Sequence, residues 1–438
     1  MKKTRLLLVL VLVFAMCLSF APVAMAQPPY SEAAFTKLLQ VPVGTEFPAM
    51  GFTFTFEPEQ YNGSSAAPDL ARIPIIGTAP GTSRTGVITL NMNRTSATLE
   101  GTVDRVSTYY LESPNFVAGV DFPNAGIYDY IVEESGTTYN ITSALHEALE
   151  LSLARYRVSV WIQENAAGER SVFHVGVVRI TTEAGDPGSE KVDPTPGGGT
   201  EDTDYSQMTF INKYVRTNGA QNPNNPNPQR PPTTPPGGPT DPYTSDSTLN
   251  IGNTITGLLG SQNMPFDFTL RVNVPTLIQD YVRPFYKAYL VGSTGVLDPR
   301  PAVTNPALVE QDTSTNGYRY IRFAPDTLVE FQLTHGQTLV FVNTPVGTQY
   351  SVTQAAQTGY TTTITPIYNN ETLAVETALA YTGLVGERMN AAYYTNAFGD
   401  NIPTGLNIND LPFYGLILLA VGGLVVFIII KARKRNRS

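Results

Sequence analysis

Cysteine is all but missing. The 438 residues hold one, Cys17, and it lies in an N-terminal apolar run that export would remove. An exported domain is expected to use disulfides where its host makes them readily; here that staple is unavailable, and any cross-link must come from other residues. Histidine is scarce as well. His146, His174 and His335 are scattered, without zinc-binding spacing or a nucleophile elbow, which leaves an enzyme acting on a separate substrate with little support. No metal and no cofactor are expected. Residues 312–317, Asp-Thr-Ser-Thr-Asn-Gly, open like a calcium loop, but its twelfth position is Phe323 rather than Glu, so a turn is expected there. Basic residues are also few. Setting aside three of them before residue 27, five after residue 404, and Asp410, the stretch 27–404 keeps 20 Lys+Arg against 36 Asp+Glu, a net charge of −16. That excess argues against nucleic acid or an anionic membrane surface as a partner.

Apolar runs stand at both ends. Lys2, Lys3 and Arg5 precede an apolar stretch to about Phe20, and Ala24-Met25-Ala26 supplies small residues for a signal peptidase, so residues 1–26 are expected to be a cleaved signal peptide. The residues before Cys17, Phe-Ala-Met, make a poor lipoprotein cleavage box. Near the other end, residues 411–430 are apolar and residues 431–438 carry five basic side chains. About twenty helical residues at ~1.5 Å each match a hydrocarbon core of ~30 Å, and the basic cluster stays on the cytoplasmic side. Everything before Leu411 is therefore expected outside.

Between these ends the pattern is that of strands. Residues 52–56, 156–162, 172–180 and 266–274 alternate large apolar with polar residues, the period of a strand with one buried face. Several such strands in each half, separated by Gly, Pro and Asn, predict an all-β chain of tandem sandwiches of the immunoglobulin type. Residues 216–248 are dense in proline, cannot supply ladder donors and read as a semi-rigid spacer. The expected domains are 27–215 and 249–400. Two exceptions are predicted within the first. Leu145, Leu149 and Leu153 recur every four residues, predicting a short amphipathic helix over 142–156, and the Gly/Pro/acidic stretch 185–204 predicts an exposed loop.

The end of the ectodomain, Ile402-Pro403-Thr404-Gly405, followed by the apolar run and the basic tail, resembles the sorting signal of Gram-positive surface proteins. It is closer to a Val-Pro-Thr-Gly variant of some pilins than to Leu-Pro-x-Thr-Gly. The resemblance implies that a sortase cysteine attacks the Thr404 carbonyl and releases Gly405 onward. The plainer alternative is a type I membrane protein in which Pro403 and Gly405 only break structure before the span. Read together, the two β regions resemble sortase-assembled major pilins of the streptococcal T-antigen type, with immunoglobulin-like (Cna-B-type) domains that carry intramolecular Lys–Asn isopeptide bonds. The motifs are Phe35-Thr36-Lys37 with Phe52-Thr-Phe-Thr-Phe56 for the opening strands, residues 122–134 ending in Glu134 for the acid-bearing strand, and Met208-Thr-Phe-Ile-Asn212-Lys-Tyr214 for the closing strand. The resemblance implies Lys37 as the amine, Asn212 as the acceptor and Glu134 as the assisting acid. Burial lowers the pKa of a lysine and raises that of a carboxylic acid, so a neutral Lys37 would attack while a protonated Glu134 polarises the Asn212 carbonyl and shuttles protons. The alternative is an ordinary Lys37–Glu134 ion pair on a strand surface.

The second region follows the same template and departs at the reactive positions. Asn253 stands at the lysine position, Gln354 at the acid position, and Asn396 at the acceptor position. No isopeptide is expected there, only a buried hydrogen-bond cluster. A shaft pilin also needs an exposed lysine that resolves the Thr404 thioester of the next subunit. The lysines of 27–404 are Lys37, Lys191, Lys213 and Lys287; Gly188-Ser-Glu-Lys191-Val-Asp-Pro194 resembles the family's Lys-Val-Pro segment, with Asp193 interrupting it, so Lys191 is the first candidate and Lys213 the second. The expected function is structural: a shaft subunit of a covalent pilus at the cell surface, membrane-anchored as a precursor, with a sortase, other copies of the chain and peptidoglycan as partners. The alternative is a monomeric wall-anchored adhesin, or a tip or basal pilin, that binds a ligand.

Overall fold

Alternating burial along each chain segment decides where the strands lie. The structure, a computed structural model, describes residues 31–141, 146–198, 203–217, 249–293, 303–311, 319–341, 343–399 and 411–435. The expected signal peptide, residues 218–248 of the expected spacer, the 312–317 turn, residues 401–405 and residues 436–438 lie outside them. Chain contacts group the protein into two compact units, Met1–Ala220 with Val274–Arg283 and Pro345–Thr348, and Gln221–Asn273 with Pro284–Thr344 and Gln349–Ser438. Among the described residues the chain is all-β apart from short turns of helix and one long C-terminal helix.

In the first unit the strands are β1 (Thr36–Pro42), β2 (Met50–Tyr61), β3 (Gly86–Met92), β4 (Thr98–Val103), β5 (Val106–Glu112), β6 (Gly126–Thr137), β7 (Glu147–Glu150), β8 (Arg155–Glu164), β9 (Arg170–Thr181), β10 (Pro187–Val192) and β11 (Thr209–Arg216). They form a five-stranded sheet, β4-β5-β1-β11-β7, and a six-stranded sheet, β10-β9-β8-β6-β2-β3. Phe52, Phe54 and Phe56 of β2, Tyr156, Val158 and Val160 of β8, and Phe210 and Tyr214 of β11 are buried in one core. Each series alternates with more exposed residues, which is how a pleated strand delivers one face to a sandwich. The first and last strands, β1 and β11, pair in parallel, so the unit is closed by its own ends.

In the second unit the strands are β12 (Leu249–Thr256), β13 (Phe266–Asn273), β14 (Tyr286–Val291), β15 (Val309–Gln311), β16 (Arg319–Phe323), β17 (Leu328–Leu333), β18 (Thr338–Phe341), β19 (Gln349–Gln354), β20 (Tyr360–Tyr368), β21 (Glu371–Thr372), β22 (Ala380–Leu384) and β23 (Asn390–Phe398). An eight-stranded sheet, β15-β16-β14-β18-β12-β23-β20-β21, faces a four-stranded one, β17-β13-β19-β22. Aromatic rings join the two faces: Phe268 of β13 meets Tyr394 of β23 edge-on at 5.1 Å. Its first and last strands, β12 and β23, are again parallel neighbours.

Four expectations are corrected. The helix predicted over 142–156 is not there in the described part: residues 147–150 form β7, which covers the free edge of β11 with Lys213 opposite Glu150 and Arg216 opposite Glu147. An uncovered edge leaves ladder donors and acceptors unpaired, and that demand outweighs the leucine spacing; Leu149 packs on the core while Leu153 is 57% exposed. The loop predicted over 185–204 contains β10, paired with β9. The spacer does not begin at 216, since Arg216 ends β11 and Thr217 donates its N–H to the His146 carbonyl. The apolar helix, α1 (Leu411–Arg435), runs beyond residue 430. Its segment Pro412–Ala432, with mean hydropathy 2.8, is long and apolar enough to cross a membrane.

Candidate functional site, a buried lysine and a carboxamide bridged by one carboxylate

Lys37 sits on β1 opposite Phe210 of β11, and Leu39 sits opposite Asn212. Residues two apart on a strand share a face, so Lys37 and Asn212 are diagonal neighbours on one face. Glu134 reaches that face from the other sheet, where β6 pairs with β2 and Glu134 lies opposite Phe54. Three residues far apart in sequence are thereby brought together in the core. Lys37 Nζ donates to Glu134 Oε2 at 2.8 Å, and both side chains are 0% exposed. Nζ also donates to the Phe210 carbonyl at 3.1 Å and lies 4.8 Å from the centre of the Phe52 ring. Asn212 Nδ2 donates to Glu134 Oε1 at 2.8 Å. One carboxylate thus bridges the amine and the carboxamide.

Burial among these rings disfavours the charged amine. The Lys37 pKa is lowered to about 8 by desolvation, against the opposing pull of Glu134 and, more weakly, of Glu183.

The other end of the carboxamide differs from the expectation. The Asn212 carbonyl oxygen accepts from the main-chain N–H of Ser152 at 2.7 Å, not from Glu134. A main-chain N–H can only donate, so it fixes the amide orientation: Oδ1 faces Ser152 and Nδ2 faces Glu134. Ser152 Oγ in turn donates to Glu183 Oε2 at 2.5 Å, and Glu183 Oε1 accepts from the Ile211 N–H at 3.2 Å. Desolvation raises the pKa of the Glu183 carboxyl. Neither Ser152 nor Glu183 was found from sequence. Ser152 lies in the stretch whose leucines suggested a helix, Glu183 just beyond β9, and no local pattern marks either.

The second unit repeats the layout with other residues. Asn253 lies opposite Tyr394 on the parallel β12–β23 pair, two residues from Asn396, and Gln354 lies opposite Phe268 as Glu134 lies opposite Phe54. Asn396 Nδ2 donates to Asn253 Oδ1 at 2.8 Å and to Gln354 Oε1 at 2.9 Å, and its Oδ1 accepts from Gln354 Nε2 at 2.8 Å and Thr362 Oγ1 at 2.6 Å. Asn253 Nδ2 donates to the Leu333 carbonyl. This cluster contains neither an amine nor an acid.

Of the two candidate surface lysines, Lys191 is exposed on the edge strand β10; its side chain makes no ion pair among the described residues. Lys213 pairs with Glu150 at 3.3 Å on the surface. Residues Ile402, Pro403, Thr404 and Gly405 lie outside the described residues.

The sequence profile of a domain of unknown function (DUF7601) matches residues 247–382. No curated protein matches. Among solved structures the chain is similar to the major pilin of Streptococcus pyogenes, at 14% identity over 84% of this chain and 99% of that one, with a TM-score of 0.28. It is similar to the T-13 major pilin of the same species at 17% identity over 85% and 100%, TM-score 0.27. The pilus-presented adhesin Cpa matches at 13% identity over 56% of this chain and 35% of that one, TM-score 0.21. At these identities and TM-scores the similarity decides nothing about function.

Proposed function

We propose that this chain is a shaft subunit of a covalent cell-surface pilus, and that Lys37 and Asn212 become joined by an isopeptide bond. The observation that carries the reading is the buried bridge of Glu134 between the Lys37 amine and the Asn212 carboxamide, set across the parallel pair of first and last strands. A buried ion pair without a further role is a poor source of stability, whereas this one holds a nucleophile beside an acyl group.

The chemistry balances without a co-reactant. Lys37 passes one proton to the Glu134 carboxylate, and the neutral amine attacks Cγ of Asn212. As the tetrahedral centre collapses, Glu134 delivers a proton to Nδ2 and the Cγ–Nδ2 bond breaks. Ammonia leaves, taking up the second amine proton as ammonium, and Glu134 ends ionised as it began. The amine need give up little to start, since burial has already brought it to about 8. The reaction happens once per chain, and the reading assigns the protein no external substrate.

Such a bond suits a filament under axial load. Pulling on the two ends of the first unit shears β1 against β11, and a covalent link between them bars that separation. Assembly follows from the C-terminal signal: a sortase acylated by Thr404 hands the subunit to Lys191 of another copy, and the finished polymer to peptidoglycan, while α1 holds the precursor in the membrane. Peptide mapping of the full chain, purified in detergent, tests the cross-link. The expected result is one Lys37–Asn212 branched peptide lighter by one ammonia, absent from Lys37→Ala and Glu134→Ala. Separate Lys37 and Asn212 peptides in the wild type would remove the assignment. On whole cells, a ladder of multimers that Lys191→Arg collapses to a single band supports the shaft role; a single band in the wild type favours an anchored monomer.

A further inference from the structure

Attack on the Asn212 carboxamide places negative charge on Oδ1 as Cγ becomes tetrahedral, and a preorganised donor aimed at that atom is the arrangement that lowers such a barrier. Glu134 does not supply it, since its two oxygens face Nζ and Nδ2. We propose that the main-chain N–H of Ser152 is the oxyanion donor for bond formation and that Glu183 is the positioning residue that holds it there, an inference that rests on the Lys37–Asn212 reading.

Three observations support this. The Ser152 N–H meets Oδ1 at 2.7 Å, its only other acceptor among the described residues being Glu134 Oε2 at 3.3 Å, so the shorter bond is the one to the reacting group. Ser152 belongs to the four residues between β7 and β8 that have no ladder of their own, and a donor on such a segment needs tethering if it is to be preorganised. Glu183 supplies the tether: one oxygen accepts the Ser152 hydroxyl, and the other accepts the N–H of Ile211, the residue before Asn212. A single carboxylate therefore fixes the donor relative to the strand that bears the acceptor. The Ser152 hydroxyl oxygen also accepts from the Ala154 N–H at 3.2 Å, closing the turn around it.

The test follows bond formation in newly made chains. Cells expressing the full protein are pulse-labelled, samples are quenched in acid at intervals, and the fraction of labelled chains carrying the branched peptide is read by mass. Ser152→Ala keeps the main-chain N–H but loses the tether; Glu183→Ala loses it from the other side. Both are expected to slow bond formation by roughly ten- to a hundred-fold, less than the ~10²–10³ found when an oxyanion donor is removed outright. The double variant is expected to be no slower than the slower single, because both changes cut one connection. Glu183→Gln keeps the link with one bond reversed, its Oε1 accepting the Ile211 N–H and its Nε2 donating to the Ser152 hydroxyl oxygen, and is expected within about threefold of wild type. Hydrogen exchange of the β1 and β11 amides reports whether each variant folds, and Ser152→Ala carries the test should Glu183→Ala not fold. Wild-type rates in both alanine variants, or multiplicative slowing in the double, would overturn the proposal while leaving the cross-link in place. A wild type that never loses ammonia ends the parent reading and this one together.

Discussion

Removing the cross-link should cost the first unit stability by an amount that chain topology sets. A bond between Lys37 and Asn212 closes a loop of about 175 residues, and the loop-entropy relation gives roughly 5 kcal/mol of restriction on the unfolded chain. Replacing Lys37 alone would add a second effect, since Glu134 would be left buried with neither the ammonium nor the isopeptide N–H of residue 37 beside it. The clean perturbation is therefore Lys37→Met with Glu134→Gln, which removes amine, charge and bond together and leaves a side-chain carbonyl on β6 to accept from Asn212 Nδ2. For a domain of this size about 5 kcal/mol corresponds to a fall of roughly 10–20 °C in Tm. Scanning calorimetry of the full chain reads it, with the transition of the second unit as an internal reference that should not move. Lys37→Met alone should fall further. A double variant melting within about 3 °C of a wild type shown by mass to be cross-linked would refute the reasoning, because the bond would then restrict neither state appreciably.

Other outcomes follow from the same geometry. In Asn212→Ala the amine persists without a bond, and its lowered folded pKa of about 8 against the ordinary lysine value of 10.5 means that the unfolded chain binds the extra proton between those values; stability of the first unit should rise as pH goes from 8 towards 10, and a flat urea-midpoint profile over that window would contradict the assignment. In the second unit, Asn396→Ala strands the partners Asn253, Gln354 and Thr362 in the core and should cost about 2–4 kcal/mol by denaturant titration with no change in ammonia loss. Asn253→Lys with Gln354→Glu rebuilds the first unit's layout on the equivalent register, and peptide mapping should reveal a second branched peptide, joining the introduced amine to Asn396; its absence would mean that an orienting donor is also needed. Lys191→Arg should abolish the multimer ladder while leaving the Tm of the first unit within about 1 °C, as expected for an exposed residue.

Much of this molecule was legible in the order of its residues, and for a local reason. Alternation such as Phe52-Thr-Phe-Thr-Phe56 has period two, needs no knowledge of a partner, and predicts β2 and its buried face directly; the apolar run from Leu411 is likewise a sum over neighbours, and α1 follows from it. The motif positions of Lys37, Glu134 and Asn212 were legible too, as was the presence of Asn253 and Gln354 at the matching positions of the second unit. Pairing was not. Which strand lies beside which depends on edges far apart in sequence, so the parallel closure of β1 on β11, the placement of β7 on the outer edge of β11, and β10 within a glycine-rich stretch emerge only when every ladder must be satisfied at once. Leucines at four-residue spacing suggested a helix because periodicity counts side chains and ignores the unpaired edge that those residues cover. The site shows the same division. The resemblance of its motifs to those of pilins implied an amine, an acid and an amide, but the burial that lowers the Lys37 pKa, the turning of the Asn212 oxygen to Ser152, and the Glu183 tether arise from groups separated by scores of residues, which only packing brings within hydrogen-bond distance.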